Sequence, residues 1–98
     1  MFARVTGFQA PLDRVEESTR YVEEELVPAY RQEQGFRAWY SMVDANTGKG
    51  LTITFWETDE ALHASETLRS LVVQTLMRDL GLTISSTDTY EVTVAYHT

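Results

Sequence analysis

The chain contains no cysteine, so neither a disulfide framework nor a thiolate metal site can form in it. Lysine is almost missing too. Lys49 stands alone beside seven scattered arginines, and the excess of carboxylates brings the formal charge to −7. Proteins that bind nucleic acid draw most of their affinity from neutralising phosphates with Lys and Arg, so a polynucleotide partner is disfavoured. An anionic membrane surface is disfavoured for the same reason. No apolar run approaches the roughly 20 residues needed to span a bilayer, and Met1-Phe2-Ala3-Arg4-Val5 lacks the apolar stretch of a secretion signal. These features read as a soluble, cytoplasmic chain. Walker loops, Gly-x-Gly-x-x-Gly runs and nucleophile-elbow sequences are also missing, which leaves no motif for a nucleotide, flavin or nicotinamide cofactor.

What is present is apolar and aromatic: 43% and 11% of 98 residues, enough for the core of one domain spanning 1–98. Residues 2–9 alternate loosely and predict a strand. Pro11 suits a first helical turn, where its missing N–H has no partner to lose. Leu12, Val15, Val22, Leu26, Ala29 and Tyr30 then recur at helical spacing, with acidic residues and arginines opposite. Pro28 predicts a bend near Glu24–Val27, and Gly35 a stop. Phe36–Asp44 and Leu51–Glu57 read as strands around a polar, Gly-containing turn, hence a hairpin.

Thr58 and Asp59 are plausible caps for a second helix. From Ala61 to Leu80 its apolar residues would cover about 240° of a straight helix, more than one sheet can bury. Either the helix breaks near Ser65–Thr67, or a second subunit covers the excess. Gly81 closes it, and Thr87–Tyr96 alternates as a last strand. The order β-α-β-β-α-β predicts an α+β, ferredoxin-like fold: a four-stranded antiparallel sheet with helices on one face. The other face carries too much apolar surface to stay wet, which predicts a homodimer formed through the sheet faces.

Three passages then resemble the antibiotic biosynthesis monooxygenase-like family of the dimeric α/β-barrel superfamily. Phe55-Trp56-Glu57-Thr58-Asp59-Glu60-Ala61-Leu62 is similar to that family's strand-to-helix W-E-S-x-E-A passage. Val27-Pro28-Ala29 followed by Gly35-Phe36 resembles its P…P-G-F passage, with Gln34 before the glycine. Tyr90-Glu91-Val92 resembles its last strand. The resemblance implies a dimeric α/β barrel and, in one branch, cofactor-independent monooxygenases whose bound phenol, as an anion, meets dioxygen directly. It also implies a haem-degrading branch, with a first-strand asparagine, a tryptophan within the second helix and a histidine about ten residues later. Here the first strand has no asparagine, Ala64 stands eight residues beyond Trp56, and Gln74 stands near the histidine position. That branch is set aside, and no cofactor is expected.

The expected ligand is a small aromatic or polyketide-like molecule, and the residues singled out to line its pocket are Trp56, Trp39, Tyr40 and Arg69. Each has a plainer reading. Trp56 can plug a strand end, and Trp39 and Tyr40, on opposite faces of one strand, can be ordinary core. Arg69 falls within the apolar arc of its helix, where it can hold an anion or pack its stem while its head reaches water. Glu23 beside Tyr30 is a proton acceptor only if a pocket opens there; a solvated edge is the plainer account. Arg4 and Arg37 sit on strands, where an arginine in a dimer interface is expected to pair with a carboxylate such as Glu91. His63 and His97 lack metal-site spacing. The competing reading of the chain is a non-catalytic dimeric domain that binds a ligand or serves as structure.

Overall fold

A computed structural model describes residues 1–98. The strands are β1 (Phe2–Gln9), β2 (Phe36–Val43), β3 (Lys49–Trp56) and β4 (Thr83–Glu91), joined in one antiparallel sheet of order β2-β3-β1-β4. The helices are α1 (Val15–Tyr21), α2 (Val27–Tyr30), α3 (Asp59–Ala64) and α4 (Glu66–Leu80). All lie on one face of the sheet, so the fold is the ferredoxin-like one that the element order predicts. No helix is long and apolar enough to cross a membrane.

A single-turn 3₁₀ segment (Leu12–Arg14) leads into α1, and a π-helical turn (Val22–Leu26) joins α1 to α2, making one continuous rod. Pro28 gives the reason for the π turn. It has no N–H for the Glu24 carbonyl four residues back, and its ring would crowd that carbonyl. One extra residue in the turn relieves both problems, and Val27 N–H accordingly bonds the Val22 carbonyl five residues back. The bend expected at Glu24–Val27 is therefore a π bulge.

The second helix breaks at Ser65, the first of the two alternatives raised by the 240° arc, although Leu71 and Met77 of α4 stay exposed. Thr58 caps α3 by accepting from Ala61 N–H at 3.0 Å. At the break Ser65 is buried, and its hydroxyl donates to the Leu62 carbonyl at 2.6 Å. Arg4 reaches the same place from β1, donating to Leu62 O and Ser65 Oγ, each at 3.1 Å. Gly81, at φ 70°, ends α4 in the left-handed conformation that glycine adopts without strain.

The last strand differs most from expectation. It begins at Thr83 and ends at Glu91, because its partner β1 runs only from Phe2 to Gln9. Beyond it, Val92 N–H bonds Met1 O at 2.8 Å, and Val94 and Tyr96 stand exposed. The core lies between sheet and helices around Trp56, Leu62, Leu26 and Tyr30. On the opposite sheet face, Tyr40, Met42, Leu51 and Tyr90 are exposed.

Candidate functional site

Sheet and helices do not meet everywhere: they leave a cavity of about 400 Å³. Its floor is made of even-numbered β1 residues (Arg4, Thr6, Phe8), with Thr52 and Thr54 from β3 and Trp39, Ser41 and Val43 from β2. Short hydroxyl side chains at four of these places leave the space unfilled. The roof is largely valine: Val15, Val22 and Val27 from the first rod, and Val72 and Val73 from α4. Val22 and Val27 share the cavity despite a spacing of five, a consequence of the π turn between them. Such turns recur at functional sites.

Most polar groups around this space are held. Trp39 Nε1 donates to Ser41 Oγ at 2.7 Å, and Ser41 Oγ meets Thr52 Oγ1 at 3.2 Å. Arg69 Nη2 donates to Thr87 Oγ1 at 2.7 Å. Glu66 bridges the two arginines that line the cavity, with Oε2 at 2.9 Å from Arg4 Nη2 and Oε1 at 3.4 Å from Arg69 Nη1. Two guanidinium groups on one carboxylate leave one net positive charge. Burial pulls the Arg4 pKa below its usual value, with Glu66 opposing that pull. Burial also raises Tyr30, against the pull of Arg4 and Arg69, so this side chain is a neutral phenol. Ser18 Oγ is the one buried side-chain polar atom with no hydrogen-bond partner.

The four residues singled out from sequence separate. Trp39 and Arg69 both line the cavity. Trp56 does not: it is wholly buried in the core on the same sheet face, beyond the cavity, its Nε1 donating to Thr54 Oγ1 at 3.0 Å and its ring packed on Phe36 and Tyr30. Tyr40 lies on the opposite sheet face, where its ring meets Phe55 edge-on with centroids 6.0 Å apart. Alternation along β2 puts it there, since Trp39 and Ser41 take the helix side. Glu23 is exposed yet reaches the cavity lining, alongside Tyr30. Arg4 corrects an expectation: it faces the helices and pairs with Glu66, not Glu91. Its even-numbered place beside Phe2, Thr6 and Phe8 was the available signal. For Ser18 sequence offered none.

No protein-family model matches this sequence, and no curated protein matches it. Solved structures do. The fold is antibiotic biosynthesis monooxygenase-like. A Deinococcus radiodurans protein described as an antibiotic biosynthesis monooxygenase superposes with a TM-score of 0.76 at 19% identity, over 100% of this chain and 98% of its own. The haem-degrader MhuD of Mycobacterium tuberculosis, with two haems in its active site, gives 0.74 at 18%, over 99% and 100%. A monooxygenase from the ActVA-Orf6 gene of Streptomyces coelicolor, in complex with nanaomycin D, gives 0.69 at 12%, over 98% and 92%. At these identities the shared property of antibiotic biosynthesis monooxygenase-like proteins is their fold, and a fold hosts many chemistries.

Proposed function

We propose that this protein is a cofactor-independent monooxygenase-like enzyme that binds a small aromatic, phenolic molecule in the cavity between sheet and helices. The observation that carries the reading is the cavity itself: about 400 Å³, mostly apolar, with an indole wall and two arginines in its lining. A pocket of this size, with few and convergent polar groups, is the usual form of a small-molecule site. In this reading Glu23, the sole carboxylate of the lining, takes the phenolic proton, and Arg69 and Arg4 stabilise the resulting anion. The electron-rich anion reacts with dioxygen from solution. One oxygen atom enters the ring as a carbonyl and the other leaves as water, so a phenol and O₂ give a quinone and H₂O.

Haem is a poor fit to the same cavity. No histidine, cysteine, methionine or lysine lines it. His63 instead sits on the outside of α3 against Asp59, and Tyr30 holds its proton tightly. The reading includes a homodimer. Tyr40, Met42, Leu51 and Tyr90 stand exposed on the sheet face away from the helices, the kind of apolar face that marks a protein contact, and a second copy covers it.

The test is oxygen consumption by the purified protein with a panel of phenols, naphthols and hydroquinones and no added cofactor. Turnover that falls at least tenfold in Arg69→Ala supports the enzyme. Tight binding of panel members without oxygen uptake supports instead a ligand-binding domain. Absence of both removes the cavity as a site.

A further inference from the structure

Ser18 is the one buried side-chain polar group without a hydrogen-bond partner. It is 8% exposed, on α1, and lines the cavity. A hydroxyl in this position has an easy local solution, because a helical Ser or Thr can donate to the carbonyl four residues back. Its neighbour Thr19 takes that solution, donating to Val15 O at 3.0 Å. Ser18 does not, and its oxygen is sealed from water. An orphaned buried hydroxyl is a standing cost that an alanine would not carry. Alanine is also the better helix former.

We propose that Ser18 is a specificity residue, holding its hydroxyl for a hydrogen-bonding oxygen on the ligand. The proposal rests on the reading of the cavity as a ligand site. Serine has three staggered χ1 positions, so the hydroxyl can turn into the cavity without moving the backbone. The helix positions set its level relative to the arginines. Arg14 Nη1 donates to Asp79 O at 2.9 Å, which brings the start of the first rod level with the end of α4. From there Ser18 lies four residues along one helix and Arg69 ten residues back along the other. Ser18 therefore lies nearer that end of the helix pair than Arg69 does. The ligand class that follows is an aromatic monoanion whose charged group sits with the arginines. It carries a second, uncharged oxygen elsewhere on the ring system, at the level of Ser18. A site built around such an oxygen discriminates against analogues that lack it.

The experiment compares wild type with Ser18→Ala using 2-naphthoate and the set of its monohydroxy isomers, by titration calorimetry, alongside thermal unfolding of the ligand-free proteins. The expected result has opposite signs. Ser18→Ala melts higher by about 4 °C or more, yet at least one hydroxynaphthoate binds it roughly tenfold more weakly, while 2-naphthoate is held as by wild type. Three results overturn the proposal: no isomer distinguishing the two proteins, an equal loss for 2-naphthoate and the isomers, or a lower melting point for the ligand-free variant. A wild-type protein that binds no member of the set overturns the ligand-site reading itself, and the proposal with it.

Discussion

Arg4 and Glu66 are joined at 2.9 Å, although the arginine is 5% exposed and the glutamate 52%. The energetic weight lies with the buried partner. Removing Glu66 leaves a desolvated cation with less compensation, whereas removing Arg4 frees a carboxylate that can turn to water. Ser65 Oγ still serves the Leu62 carbonyl without Arg4. Glu66→Ala is expected to cost about 2 kcal/mol, discounted from a fully buried pair because Glu66 is half in water. Adding Arg4→Met, which keeps the apolar stem, should recover most of that loss. Urea midpoints of the single and double variants measure this, and additive losses would contradict it.

Tyr30 supplies a pH dependence with a definite sign. Its folded pKa lies above 10.0, with burial outweighing the pull of two arginines. The unfolded chain therefore gives up this proton first. The stability attached to neutral Tyr30 is complete below pH 10 and is lost as pH climbs through the higher folded value. Stability measured by urea unfolding from pH 8 to 11 should fall more steeply in wild type than in Tyr30→Phe. Parallel curves would mean that Tyr30 titrates alike in both states.

The periodicities of the chain carried most of this architecture, because each reports directly on which residues can share a face. Leu12 to Tyr30 announced a helix and Pro28 its bend, but the remedy, one extra residue in the turn, depends on the carbonyl that proline crowds. The alternation of Tyr90, Val92, Val94 and Tyr96 read as a strand through Tyr96. Its ladder closes at the Phe2–Glu91 pair, with one further bond from Val92 N–H to Met1 O. Partner length is not written in a strand's own pattern. The same limit governs the cavity. Alternation separates Trp39 from Tyr40 without saying which side keeps empty space, and Ser18 shows nothing unusual until its missing hydrogen bond is seen.

The two tryptophans should respond differently to mutation. Trp56 is fully buried, and Trp56→Phe loses volume and the bond to Thr54. About 2 kcal/mol of stability should go with them, while an aromatic ligand in the cavity loses only a few-fold in affinity, felt through Thr54 and Tyr30, the two lining residues that Trp56 touches. Trp39 is half-buried and part of that wall. Trp39→Ala should weaken binding of 2-naphthoate by tenfold or more, given that an aromatic stack is worth on the order of 1 kcal/mol beyond its buried area. Calorimetric titration beside urea unfolding separates the effects, and equal binding losses in both variants would place Trp56 in the site.

The apolar sheet face gives the last prediction. Ile53 lies on the central strand β3, opposite Tyr40 on one side and Val5 on the other, and is only partly covered by this chain. A second copy packed face to face would bury it, and a charge there would be desolvated without a partner, at a cost of several kcal/mol. Ile53→Lys should therefore shift the protein from dimer to monomer at micromolar concentration, with the dissociation constant raised at least a hundredfold. Sedimentation velocity reads the change directly. A neutral control, Ile53→Val, should remain dimeric. If wild type itself sediments as a monomer at that concentration, this face is covered by something other than a second copy of the chain.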